Sequence, residues 1–145
     1  MRKEKKNKEI SLKNIIDNEI QTNSLRKNFP EHLKIHVSKL KDKKAEAHHD
    51  FTHIPFVTID GDDSKDFDDA VWSENYGKKS KVMVAIADVS FYVENDDPLD
   101  REAKKRANSF YFPDRVVPMF PEELSNNLCS LVPNKIRKSI IIEIN

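Results

Sequence analysis

Phe56-Val-Thr-Ile-Asp60-Gly-Asp62-Asp63-Ser-Lys-Asp66-Phe-Asp68-Asp69-Ala70-Val71-Trp72 decides how this chain is read. An apolar run meets six aspartates within ten residues, and a second apolar run follows at once. Short apolar runs bounded by turn residues predict strands. They are expected over residues 56–59 and 70–72, with the aspartates between them. A third run, Val82-Met-Val-Ala-Ile-Ala87, is nearly continuous and predicts a strand buried on both faces. Gly77 and its neighbours supply the turn between the second and third strands, which are therefore expected to be antiparallel.

Helices are expected on either side of these strands. Ile10, Leu12, Ile15, Ile16 and Ile20 lie at helical spacing and predict a helix over 9–21. Pro30 opens a second helix reaching about residue 47, with Leu33, Val37 and Leu40 on one face. Asp97 and Pro98 read as the N-cap and first residue of a third, which runs to about residue 107. Its last turn holds Lys104, Lys105 and Arg106, where the helix dipole favours them. Residues 110–133 contain four prolines and read as an extended, ordered loop with a helical turn near 121–125. Ser139-Ile-Ile-Ile-Glu-Ile-Asn145 reads as a strand that needs a partner and a core. The expected fold class is α+β, with a mixed, mostly antiparallel sheet and flanking helices.

The chain has 145 residues, enough for one domain with a real core, and a formal net charge of zero. That charge is unevenly spread. Residues 1–49 carry 13 Lys/Arg against 7 Asp/Glu, residues 50–102 carry 5 against 14, and residues 103–145 carry 7 against 4. An acidic middle between basic flanks suits a metal-bearing centre whose surroundings attract a polyanion. It is also what ordinary variation along a soluble surface produces. The single cysteine, Cys129, makes no internal disulfide and no zinc cluster, so a reducing cytoplasm is the expected compartment. No apolar stretch approaches the ~20 residues of a membrane span. The Lys-rich start lacks the apolar region of a secretory signal. Two glycines in the whole chain argue against a Gly-rich phosphate loop. His32 and His36, and the group His48, His49 and His53, lack zinc-site spacing and read as solvated.

Six aspartates packed this tightly repel one another unless something neutralises them, and hard divalent cations take carboxylate oxygens. An EF-hand does not fit, because a loop starting at Asp60 puts Lys65 at position 6 and Val71 at position 12. Asp60-Gly-Asp62 after an apolar strand is similar to the nucleophile and acid of haloacid-dehalogenase-type phosphatases. That alternative leaves Asp66, Asp68 and Asp69 unexplained. A third reading spreads the site over two elements, with Asp60 at a strand end and Asp66, Asp68 and Asp69 on a returning segment. Four carboxylates converging there would hold one or two Mg²⁺ ions for phosphoryl transfer. An acidic surface loop is the plainest alternative.

Thr58-Ile-Asp-Gly-Asp-Asp-Ser-Lys-Asp-Phe-Asp-Asp-Ala70 closely resembles the catalytic aspartate signature of the RNB domain, the nuclease domain of ribonucleases II and R. The resemblance continues through residues 84–93, 99–103, 109–119 and 124–131, in order and spacing, and is closer to ribonuclease R. It implies a 3′→5′ hydrolytic exoribonuclease that needs Mg²⁺ (or Mn²⁺) and releases nucleoside 5′-monophosphates from single-stranded RNA. It implies that Asp60, Asp66, Asp68 and Asp69 form the metal and catalytic site, with Asp68 the most critical to chemistry. It implies that Tyr111 stacks a base near the 3′ end. Arg115 is expected either to contact phosphate or to form a structural ion pair. The resemblance further implies residues 1–54 as a basic helical linker region and 55–145 as the N-terminal part of the catalytic domain. Members of this family carry further RNB residues and OB-folds. The chain alone is therefore expected to be weak or inactive, with a second polypeptide supplying the rest, or to persist as a non-catalytic RNA-binding remnant.

Overall fold

The computed structural model describes residues 11–40 and 48–145. Its architecture is α+β, with mostly antiparallel pairing, as the sequence implies. Helix α1 spans Leu12–Thr22 and is capped by Ser11, whose hydroxyl accepts from the Asn14 amide. Helix α2 spans Glu31–Ser38. It is shorter than expected, and residues 41–47 lie outside the described residues. Strands β1 (Asp69–Tyr76) and β2 (Lys79–Ala87) form an antiparallel hairpin. The turn between them needs the left-handed backbone of Gly77, at φ 63°. A 3₁₀ turn, Val89–Phe91, leads to helix α3 (Pro98–Arg106). Asp97 caps α3 through its side chain, which accepts from the Asp100 amide at 2.8 Å.

The last strand, β5 (Ser139–Ile144), pairs antiparallel with β2, giving the sheet order β1-β2-β5. Two expectations change here. Residues 56–59 do not form a strand. They touch β1 by one bridge, Val57 to Val71, with mutual amide bonds of 2.9 and 2.8 Å. Pro55 supplies no donor and Ile59 stands 84% exposed, so pairing has no apolar gain to extend it. Nor is β2 buried on both faces. Met83, Ala85 and Ala87 face the core, while Ile86 is exposed, so the strand follows the one-sided alternation of an antiparallel sheet.

Residues 110–133 also hold structure that the prolines hid. Strands β3 (Phe110–Phe112) and β4 (Arg115–Val117) form a tight hairpin around Pro113 and Asp114. The expected turn of helix near 121–125 appears as a wider π turn over Leu124–Leu128. The main core joins Leu33 and Val37 of α2 to Ala87, Tyr92, Leu99, Leu124 and Cys129. A second cluster packs Ile16 and Ile20 of α1 on Val117, with Phe110 and Phe112 alongside.

Candidate active site

The aspartate segment is held by its backbone. Ser130 is almost fully buried, and its hydroxyl donates to the Lys65 carbonyl at 2.7 Å while accepting from the Phe67 amide at 3.0 Å. The Leu131 amide donates to the Phe67 carbonyl at 2.9 Å, and the Ala87 amide donates to the Asp68 carbonyl at 2.8 Å. Residues 65–68 are thus clamped between the 130–131 segment and the end of β2. Asp69 then opens β1, opposite Ile86. Asp60 lies beyond the Val57 bridge, and Asp62 and Asp63 sit exposed around the turn that Ser64 closes on Gly61.

The carboxylates share one field. Asp68 has its carboxyl raised above the ordinary range, first by burial and then by the charges of Asp66, Asp69 and Asp60. The residue still opens to solvent, so this is crowding at an accessible site rather than entombment. Among the described residues no Lys or Arg forms an ion pair with any of the four. Nor do three or more His, Cys, Asp or Glu of the described residues gather closely enough to enclose a metal ion. Carboxylate oxygens are the donors a hard cation takes, while among the described residues they are not gathered into a preformed coordination sphere. Cys129 lies beneath them, its thiol pushed up to about 12 by burial and by the charges of Asp68 and Asp88, which leaves it protonated and unreactive.

Tyr111 stands at this cluster. Tyr111 is 64% exposed on the outer face of the β3–β4 hairpin, and its hydroxyl donates to Asp66 Oδ2 at 2.6 Å. That bond, with burial and the charges of Asp66 and Asp68, pushes the phenol up to about 12. Arg115 is committed elsewhere. It donates to Asp17 Oδ1 at 2.7 Å and to both oxygens of Asp114, at 3.0 and 2.7 Å. Of its two expected roles, the geometry favours the ion pair. His32, His48, His49 and His53 are exposed, and His36 lies 3.7 Å from Asp97, away from the aspartates.

Sequence reasoning missed Ser130. Ser130 lies in the 124–131 block that carries the resemblance, but nothing in that block marks its role, and only the fold brings its hydroxyl to Lys65 and Phe67.

Comparison with known proteins bears on this arrangement. A family model described as the RNB domain matches residues 48–145. Ribonuclease R of Escherichia coli (strain K12) is 44% identical over 133 residues, covering 88% of this chain and 16% of that protein. Ribonuclease R of Acidithiobacillus ferrooxidans is 55% identical over 94 residues, covering 65% of this chain and 21% of its own. The chain spans 13–21% of the length of such curated relatives. Among solved structures, Mycoplasma genitalium RNase R in complex with ribose methylated single-stranded RNA superposes with a TM-score of 0.83 at 36% identity, over 92% of this chain and 21% of that one. The same protein with double-stranded RNA gives 0.84. Aspartate signature, antiparallel sheet and sequence identity converge, and the chain belongs to the RNB domain family.

Proposed function

We propose that this chain supplies the aspartate site of a ribonuclease R-like 3′→5′ exoribonuclease, which hydrolyses single-stranded RNA to nucleoside 5′-monophosphates. The observation that carries this reading is the 2.6 Å bond from Tyr111 to Asp66, which joins an exposed aromatic residue to a cluster of like charges. Stacking on an aromatic ring is sequence-tolerant, as a processive exonuclease requires. Asp60, Asp66, Asp68 and Asp69 would hold Mg²⁺, with Mn²⁺ as a substitute. When bound, such an ion activates water and offsets the charge of phosphoryl transfer. In this reading Tyr111 stacks a base near the 3′ end, and its hydroxyl steadies the Asp66 carboxylate. Ser130 keeps Asp66 and Asp68 at a fixed height. Residues 55–145 act as the N-terminal part of the catalytic domain and residues 1–54 as the segment leading to it. The single buried cysteine suits a reducing cytoplasm. Asp60 does not end a strand, which alters both this reading and the phosphatase alternative; the phosphatase also leaves Asp66, Asp68 and Asp69 without a role, and the RNB match over residues 48–145 supports the nuclease.

The relatives are much longer, and in this reading activity requires the rest of an RNB catalytic domain alongside these residues. The test uses 5′-labelled single-stranded RNA with purified chain, in Mg²⁺ and in EDTA, with and without a polypeptide carrying the rest of an RNB domain. The expected result is little or no trimming by the chain alone. Trimming from the 3′ end, dependent on Mg²⁺ and lost in Asp68→Asn, is expected once the second polypeptide is added. RNA left intact in every mixture would reject the catalytic reading and favour a binding remnant.

A further inference from the structure

The two N-terminal helices lie outside the stretch that the RNB family model matches, yet they pack onto it. Helix α1 grips one element in particular, the β3–β4 hairpin that carries Tyr111. Each of these strands has three residues, and an isolated hairpin of that length is not stable in water. Its orientation must be set from outside.

The pairing register shows how. Phe110 lies opposite Val117, and Phe112 opposite Arg115, so these four share the inner face. Tyr111 and Val116 lie opposite each other on the outer face, and both are exposed. Helix α1 meets the inner face twice. Ile16 and Ile20 pack on Val117 beside Phe110 and Phe112. Next to Ile16 in the helix, Asp17 accepts from Arg115 Nη1 at 2.7 Å. Asp114, in the hairpin turn, holds the same guanidinium from the other side at 3.0 and 2.7 Å. Apolar packing keeps the hairpin on α1 but is non-directional. The guanidinium fork is directional, and it fixes the tilt of the hairpin about that packed face. Asp17 is half-exposed, so the pair adds little to global stability and its effect is geometric.

We propose that Asp17 is a positioning residue for RNA recognition, acting through Arg115 to hold the hairpin at the tilt that keeps Tyr111 on Asp66. The inference rests on the reading of Tyr111 as the base-stacking residue. It assigns α1 a role in substrate binding although α1 lies on the far side of the hairpin from the aspartates.

A double-mutant cycle tests it with the full chain and fluorescein-labelled single-stranded RNA, read by anisotropy in EDTA. Asp17→Ala is expected to weaken binding roughly 3- to 10-fold, and Tyr111→Ala at least as much. The double variant should bind no more weakly than Tyr111→Ala alone, because Asp17 acts only through that ring. Asp17→Glu, which keeps the carboxylate in reach of Arg115, should restore most of the affinity. Additive losses, or an Asp17→Ala variant as tight as the original, would overturn the proposal while leaving Tyr111 in its role. An Asp17→Ala chain that no longer folds would also overturn it, since the pair would then be a structural strut. RNA binding indifferent to Tyr111→Ala would instead remove the stacking reading beneath it.

Discussion

Glu102 and Arg106 form the most enclosed ion pair in the structure's described residues, with side chains only 6% and 2% exposed. Arg106 Nε donates to Glu102 at 3.1 Å, and its other nitrogens reach the carbonyls of Arg26, Asn28 and Pro118. Its guanidinium also lies 3.6 Å over the Phe29 ring. Arg26 completes the set with two bonds to Glu102, at 2.7 and 3.1 Å. This network ties the segment between α1 and α2 onto α3. Replacing Glu102 by Ala strands a buried guanidinium and is expected to cost about 3 kcal/mol, read from urea denaturation at pH 7. Burial pushes the Glu102 carboxyl up, but Arg26 and Arg106 outweigh it and hold it below the usual range. Its folded value is thus depressed. The stabilisation is complete above the unfolded value of about 4.3 and fades as pH falls through the lowered one. The stability gap between the original chain and Glu102→Gln should accordingly narrow below about pH 4.3; a constant gap down to acid unfolding would contradict the pairing. Ser130→Ala should cost about 1–3 kcal/mol in the same assay, since it orphans the Lys65 carbonyl and the Phe67 amide together. Both residues lie in blocks that carry the resemblance, but neither block discloses the structural role of the residue. A charged residue in a helix reads as solvated, and only the docking of residues 26–29 buries this one. The aspartates, by contrast, were legible because six like charges between apolar runs demand a reason.

Among the elements, α3 was the most legible and shows why. Its start combines an N-cap aspartate with proline at the first helical position, and its last turn is basic, so local chemistry and tertiary packing agree. Its end carries a strain the sequence did not disclose. Ala107 terminates the helix in the left-handed region, at φ 65°, with its amide bonded to the Ala103 carbonyl at 2.8 Å. A Cβ at such a position is unfavourable, and glycine is the usual occupant. Ala107 is exposed, so its methyl adds no core packing. Ala107→Gly is expected to raise stability by up to about 1 kcal/mol, seen as a higher urea midpoint with an unchanged slope. A fall in the midpoint would mean that the flexibility gained by the unfolded chain outweighs the strain relieved. The β3–β4 hairpin was missed for the opposite reason. Its strands are three residues long and flanked by prolines, below the length at which alternation becomes a signal, and its pairing depends on α1, far away in sequence. The segment at 56–59 failed differently: its pattern suits a strand, but one bridge is all the partner it finds.

At the scale of the whole molecule, the sheet has one filled face and one open one. Ala70, Met83, Ala85 and Ala87 pack inward. On the other face Val82, Val84 and Ile86 lie opposite Ile144, Ile142 and Ile140, and all four of these isoleucines are exposed. Val57 adds to the same side through its bridge to Val71, which is paired with Val84. Contiguous apolar surface of this kind marks a contact rather than a solvated face. Strand β5 also presents its outer backbone edge, and a net charge of zero supplies no repulsion against association. The chain alone is therefore expected to self-associate at tens of micromolar, eluting well ahead of a 16.9 kDa monomer in sedimentation-checked gel filtration. Ile140→Lys combined with Ile142→Lys leaves the strand pairing and the core face intact, so it should return the chain to a monomer with an unchanged circular dichroism spectrum. The same double variant should fail to be complemented by the second polypeptide in the RNA-trimming assay, if that polypeptide covers this face. Monomeric original chain together with a fully complemented double variant would show that the isoleucine face is not the contact, and that any second polypeptide docks through the free edge of β5 instead.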